Sequence, residues 1–161
     1  MATNVTSKTE NETLDIIEMS ESIRKEMDYD LGNRVYSLIG KSFPGKYDRR
    51  IISDTKIQYK YLAFENGVVV AFCFWKIVED EAILYVIGVD EARRRKGIGT
   101  AMMNRSFSDF RKDGACIVIK GHCWTGNPAR NFHKTIGFTE ECIEERYYKN
   151  GDDAIRIKMV L

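Results

Sequence analysis

The sequence predicts a mixed α/β domain: a mostly antiparallel central sheet of about seven strands, with helices packed on it. Three observations carry this expectation. Residues 59–64, 68–78 and 83–89 read as three successive strands, the first two joined by the hairpin signal Asn66-Gly67 and the last two by Glu79-Asp80-Glu81. The third strand, Ile83-Leu84-Tyr85-Val86-Ile87-Gly88-Val89, runs through a basic, glycine-containing turn straight into a helix. After that helix, Ala115-Cys116-Ile117-Val118-Ile119 is a short apolar run of the kind buried on both faces, and a strand reached through a helix lies parallel to the one before it.

Taken in order, residues 1–13 are rich in Thr, Asn, Glu and Lys and bury too little apolar surface to order themselves, so they read as a tail. Residues 14–19 alternate weakly as a first strand. Ser20 then caps a short helix whose Ile23 and Met27 share a face. From Asp30, Leu31, Val35, Leu38 and Ile39 fall at helical spacing, and Phe43-Pro44-Gly45 ends that second helix near Ser42. Residues 46–55 form a charged loop.

In the helix after the basic turn, Ile98, Ala101, Met102, Met103, Phe107 and Phe110 make a wide apolar stripe, closed at Lys112-Asp113-Gly114. A further helix starts with Asn127 as N-cap and Pro128 at the first helical position, carries Ala129, Phe132, His133 and Ile136 on one face, and ends at Gly137. Strands over 138–148 and 154–161 flank the turn signal Asn150-Gly151-Asp152-Asp153. With no repeat, low-complexity tract or linker, residues 14–161 are expected to form one domain.

Composition narrows the classes. At 161 residues the chain is long enough to bury a core without staples. With 25 basic and 24 acidic residues it offers no overall field to steer nucleic acid or an anionic membrane. Cys73, Cys116, Cys123 and Cys142 lack CxxC spacing and the chain has two histidines, so no metal site is expected and the thiols read as reduced. No apolar run reaches the length of a membrane span and no signal-peptide core opens the chain, so the expected location is the cytoplasm. There the sequons Asn4-Val5-Thr6 and Asn11-Glu12-Thr13 stay unmodified. Oligomeric state is not legible.

The basic turn, Arg93-Arg94-Arg95-Lys96-Gly97-Ile98-Gly99, reads as a pyrophosphate cradle. A strand that stops at such a turn and restarts as a helix leaves several N–H groups pointing at whatever lies beyond the helix N-terminus. Gly97 and Gly99 let an anion approach the backbone, while Arg94, Arg95 and Lys96 bring positive charge to its edge. The spacing is neither GxxxxGK[ST] nor GxGxxG, which argues against a nucleotide P-loop and a dinucleotide fingerprint. A solvated basic patch or a nucleic-acid contact is the bland alternative.

Arg94-x-x-Gly97-x-Gly99 after a strand resembles the acetyl-CoA loop of the GNAT superfamily of acetyl-CoA-dependent N-acetyltransferases, and the order of elements from residue 14 onward is similar to the GNAT fold. Residues 127–138, ending in Gly137-Phe138, resemble the family's second cofactor-contacting helix, and residues 146–154 resemble the closing hairpin of the branch that acetylates protein N-termini, including the ribosomal-protein alanine N-acetyltransferases. The resemblance implies helices on both sheet faces and acetyl-CoA as cosubstrate. It implies cofactor contacts from Ile87, Gly88, Val89, Arg94, Arg95, Lys96, Gly97, Ile98, Gly99, Thr100, Asn127 and His133. It also implies that the strand ending at Val89 splays from its neighbour, with Gly88 as the site either of a bulge or of a close packing contact.

Acetyl transfer needs a neutral amine, a polarised thioester and a tolerated thiolate. The family's usual acidic base position falls on Ile83, so Glu81, on the same strand face, is either a substitute base or a turn carboxylate. Tyr85 shares that face and either lines an acceptor pocket or packs in the core. His133 stands where relatives often carry a tyrosine acid; its ordinary pKa of about 6.5 allows that role, and a packing histidine is the alternative. His122, after the parallel strand and one residue out of step with the family's glutamate, is the leading base candidate against an ordinary loop histidine. Tyr147 and Tyr148 are expected to alternate across a strand, one of them facing the acceptor. No cysteine has an activating triad, which favours direct attack over an acetyl-enzyme. The expected function is acetyl transfer to a primary amine, leading with a protein or peptide N-terminus. A small amine such as an amino acid, polyamine or drug, and a non-catalytic acyl-CoA-binding module, are the alternatives.

Overall fold

The structure is a computed structural model that describes residues 13–19, 29–114 and 118–161. The expected tail up to residue 12, the short helix expected after Ser20, and residues 115–117 of the expected fifth strand, Cys116 among them, lie outside the described residues. The elements in order are β1 (Leu14–Glu18), α1 (Tyr29–Ser42), β2 (Tyr59–Glu65), β3 (Val68–Val78), β4 (Glu81–Val89), α2 (Ile98–Asp113), β5 (Val118–Trp124), α3 (Arg130–Ile136), β6 (Thr139–Glu144) and β7 (Ala154–Val160). One seven-stranded sheet runs β1-β2-β3-β4-β5-β7-β6. Only β4 and β5 pair in parallel, as a strand returning through α2 must.

Each element buries what its sequence period places inward. On α1, Val35, Leu38 and Ile39 fall on one face and are buried against β3 and β4. The central strand β3 is buried on both faces over most of its length, and its residues divide strictly: Phe72 and Phe74 enter the core beneath α1, while Ala71, Cys73 and Trp75 enter the core beneath α2. From α2, Met102, Met103, Phe107 and Phe110 fill that second core, to which Phe132 and Ile136 of α3 add an edge. The one buried indole donor there is satisfied: Trp75 Nε1–H donates to Ser106 Oγ at 3.0 Å, and Ser106 in turn donates to the Met102 carbonyl.

Two expectations on elements are corrected. The helix expected from Pro128 begins at Arg130; Asn127 Oδ1 accepts the Ala129 N–H at 2.8 Å and so caps the turn that precedes it. The strand expected to run through Tyr148 stops at Glu144, because Arg146 takes a left-handed backbone (φ 53°) that no strand continues through. Tyr147 and Tyr148 lie in the connection to β7, not on a strand.

Candidate active site

The site begins with a mismatch in β4. Phe74 of β3 pairs with Val86 and Trp75 with Leu84, so Tyr85 is an extra residue, and the bulge sits there and not at Gly88. Gly88 pairs regularly with Phe72, and a Cβ on it would stand 2.5 Å from the Phe72 ring, so its smallness serves close packing. The bulge exchanges the faces of the strand. Ala82 and Leu84 pack beneath α2, Tyr85 and Val86 both turn beneath α1, and Ile87 and Val89 return to the α2 side.

Just there the parallel pairing fails. The last β4–β5 partners are Leu84 and Gly121, although β4 continues to Val89 and β5 to Trp124. The Asp90 N–H donates to the Val70 carbonyl on the β3 side; by alternation, the backbone groups of Ile87 and Val89 point into the gap toward β5. A cleft opens through the sheet, lined by Leu84, Ile87, Asn127 and His133 on one side and by Phe43, Tyr47, Tyr85, Val86 and His122 on the other. The two halves belong to opposite faces of the sheet, so two reactants can meet in it from opposite directions.

At the end of β4 the basic turn wraps onto the N-terminus of α2. Asp90 Oδ1 accepts the Ala92 N–H, Arg93 Nε donates to Glu65 Oε2 at 2.7 Å, and Arg94 Nε donates to the Val89 carbonyl at 3.1 Å. Arg95 and Gly97 both have positive φ, 63° and 80°. Arg94, Arg95 and Lys96 are exposed. The first intrahelical bond is Ala101 N–H to Gly97 C=O, and no side chain caps the helix, so the amides of Ile98, Gly99 and Thr100 are open to an anion. Gly99 sits against α3, where a Cβ would press on the Phe132 ring at 3.2 Å. Arg93 thus pins the turn to β2, and Arg94 folds back onto the end of β4.

The two histidines lie on opposite sides. His133, on α3, is buried between the Phe132 and Phe138 rings, its Nδ1 has no hydrogen-bond partner among the described residues, and burial holds its pKa down at about 4. Near neutrality His133 is therefore a neutral imidazole and not an imidazolium. His122, on β5, faces the α1 side. Its Nε2 is 3.0 Å from Glu144 Oε2, and the Tyr147 ring stacks on it at 4.0 Å. Burial lowers the His122 pKa, with Arg156 acting in the same direction, and Glu144 opposes both. It is neutral at pH 7 and able to accept a proton.

Glu81 does not reach the cleft. It stands at the start of β4, about 13 Å along the strand from Tyr85, and Lys120 Nζ holds its carboxylate at 2.6 Å. The sequence allows Glu81 as a substitute base or a turn carboxylate; it opens β4 and is paired with Lys120. Tyr85 does line the cleft. Its carbonyl, freed from β5, accepts the Tyr47 hydroxyl at 3.1 Å, and its ring carries Lys76 Nζ at 3.9 Å. Tyr147 and Tyr148 meet edge to face at 5.1 Å instead of alternating. Tyr147 is 43% exposed above His122, whereas Tyr148 is buried against Tyr47. Sequence reasoning missed Tyr47, Glu144 and Lys46, the last two because their partners are distant in sequence. Lys46 is almost wholly buried, with Nζ 2.7 Å from Asp152 Oδ2 and 3.9 Å above the Trp124 ring.

Residues 32–138 match the acetyltransferase (GNAT) family. The chain belongs to that family. The open β4 edge and the uncapped α2 N-terminus leave room for an extended arm that ends in an anion. Among curated proteins it is similar to the ribosomal protein bS18-alanine N-acetyltransferase of Escherichia coli K12, 30% identical over 96 residues. That match spans 58% of this chain and 65% of the relative. The fold is that of the solved ribosomal-protein-S18-alanine N-acetyltransferase from Escherichia coli (TM-score 0.73, 21% identity, covering 92% of this chain and 94% of that one). It is nearly as close in fold to an aminoglycoside 6'-N-acetyltransferase complexed with coenzyme A (TM-score 0.71, 14% identity, 91% and 96% covered), so fold alone does not select the acceptor. Among the described residues no group of three or more His, Cys, Asp or Glu is placed to hold a metal ion, and no helix is long and apolar enough to cross a membrane.

Proposed function

We propose that this enzyme acetylates the free amino group of a protein or peptide N-terminus in the cytoplasm, by direct attack within a ternary complex. The observation that carries the reading is the cleft through the sheet at the β4 bulge, with a neutral, carboxylate-bonded histidine and a tyrosine-rich wall on the side opposite the cofactor edge. Acetyl-CoA supplies the activated thioester along Ile87 to Val89, with the pyrophosphate on the amides of Ile98, Gly99 and Thr100 and the side chains of Arg95 and Lys96. The acceptor chain enters from the α1 side between Tyr47 and Tyr85 on one wall and Tyr147 on the other. Phenol hydroxyls and ring faces suit an extended backbone, whose amides they bond and whose side chains they cover.

His122 takes the proton that the amine loses, Ile87 N–H faces the developing oxyanion, and His133 offers its neutral N–H near the departing thiolate. A covalent route through Cys73 or Cys123 is disfavoured, since burial raises their thiols to about 12 and about 11. The similarity to the bacterial alanine N-acetyltransferase supports a peptide acceptor. The test is initial-rate release of coenzyme A from acetyl-CoA with one short peptide, its N-terminus free or blocked, beside a panel of small amines. Turnover with the free terminus alone is expected. Turnover with small amines and with neither peptide overturns the acceptor; none with any amine leaves an acyl-CoA-binding module.

A further inference from the structure

His122 does not act alone. On the α1 face of the sheet, β5, β7 and β6 lie side by side, and their register places His122 opposite Arg156 and Arg156 opposite Cys142, with Glu144 two residues on. Glu144 spans this row. One carboxylate oxygen lies 3.0 Å from His122 Nε2 and the other 3.3 Å from Arg156 Nη1, while Arg156 Nε lies 3.1 Å from Glu141. The Tyr147 ring lies over the imidazole at 4.0 Å with only 17° between planes, so the ring cannot tilt freely. A carboxylate accepts and does not donate, so its contact with Nε2 selects the tautomer that carries the proton there and leaves Nδ1 as the basic nitrogen.

We infer that Glu144 is a positioning residue: clamped by Arg156, it holds His122 with Nε2–H donated to β6 and Nδ1 ready to receive the proton of the acceptor amine. This rests on the reading of His122 as the base. As the amine nitrogen bonds to the thioester carbon, its proton passes to Nδ1, the C–S bond breaks and the coenzyme A thiolate departs. The imidazolium formed then returns its proton to solvent. Its positive charge arises 3.0 Å from a carboxylate already fixed in place, so the step is favoured without rearrangement.

The other charged and titratable groups around His122 are accounted for. Glu141 and Arg156 are paired with each other, Lys46 with Asp152, and Lys120 with Glu81; Tyr47, Tyr85 and Tyr148 have raised pKa values through burial, as does Tyr147. Burial and Arg156 both lower the His122 pKa and Glu144 raises it, so Glu144 is the charged partner that favours the imidazolium. Replacing its carboxylate by an amide keeps an acceptor for Nε2–H but removes the charge; truncation removes both.

The experiment compares wild type, Glu144→Gln and Glu144→Ala by two readouts. With nitrogen-labelled histidine, the two imidazoles of the chain are titrated by NMR. Separately, the pH dependence of kcat and kcat/KM is measured on the accepted amine. Expected are the Nε2–H tautomer in wild type, mixed tautomers in Glu144→Ala, and a fall of the His122 pKa in both variants. The acid limb of the rate profile should move to lower pH in step. The plateau kcat should fall about tenfold or more in Glu144→Ala and less in Glu144→Gln, with acceptor KM little changed. An unchanged His122 tautomer and titration overturn the inference, and so does a moved titration with an unmoved rate profile. Absence of turnover in wild type retires the functional reading instead, while the NMR arm still decides whether Glu144 orients the ring.

Discussion

His133 is held where its charge is not tolerated. Folded, it takes up a proton only near pH 4, whereas in the unfolded chain it does so near 6.5. Between those values the unfolded state binds more protons, so stability is full above about pH 6.5 and is lost as pH falls toward 4, by roughly 3 kcal/mol from this residue. Urea midpoints at pH 7 and pH 4.5 check this. His133→Phe, which fits the rings of Phe132 and Phe138, should shrink the difference between the two pH values relative to wild type. An equal difference in both proteins would show that His133 charges easily within the fold. The sequence put His133 on the apolar face of its helix, but not at this depth, because burial depends on how Phe138 and the sheet close over it.

At the scale of elements, the connection between β6 and β7 is tied to the chain before β2 by one buried cation. Lys46 joins Asp152 in that connection to the Trp124 ring at the end of β5, and Tyr148 packs beside it. Lys46→Met keeps the aliphatic stem over Trp124 and deletes the ion pair and the cation–π contact. A loss of about 1–3 kcal/mol in stability is expected, with a larger rise in acceptor KM than fall in kcat, because Tyr147 and Tyr47 lose their common anchor. Chemical denaturation and steady-state kinetics measure both; an unchanged KM would free the acceptor wall from this clasp. The elements themselves were largely legible: period, glycine turns and apolar runs located the strands, the parallel crossover and the basic turn before α2. Lys46 was hidden in a charged loop. Glu144, 22 residues from His122, is brought to it only by the β5-β7-β6 register. Tyr147 and Tyr148 misled because alternation holds only while the strand continues, and Arg146 ends it.

At the scale of the molecule, one extra residue in β4 organises the chemistry. A regular β4 would pair with β5 to its end and close the sheet; the bulge at Tyr85 turns the strand, parts it from β5 after Leu84 and gives each core one half of the cleft. Sequence allows Gly88 either a bulge or a close packing contact, and the structure shows the packing contact, with the bulge where Phe74 and Trp75 pack on opposite faces. Backbone amide exchange tests the arrangement directly. The Gly88 and Asp90 amides, directed at β3, should exchange slowly in the free protein, whereas Ile87 and Val89, directed at the gap, should exchange much faster despite lying in the same strand. Coenzyme A should slow Ile87 and Val89 selectively, together with Ile98, Gly99 and Thr100 at the start of α2, and should raise the melting temperature with its concentration. Protection spread evenly over β4 in the free protein would mean that the strands close and that the cleft is not the resting state of the fold.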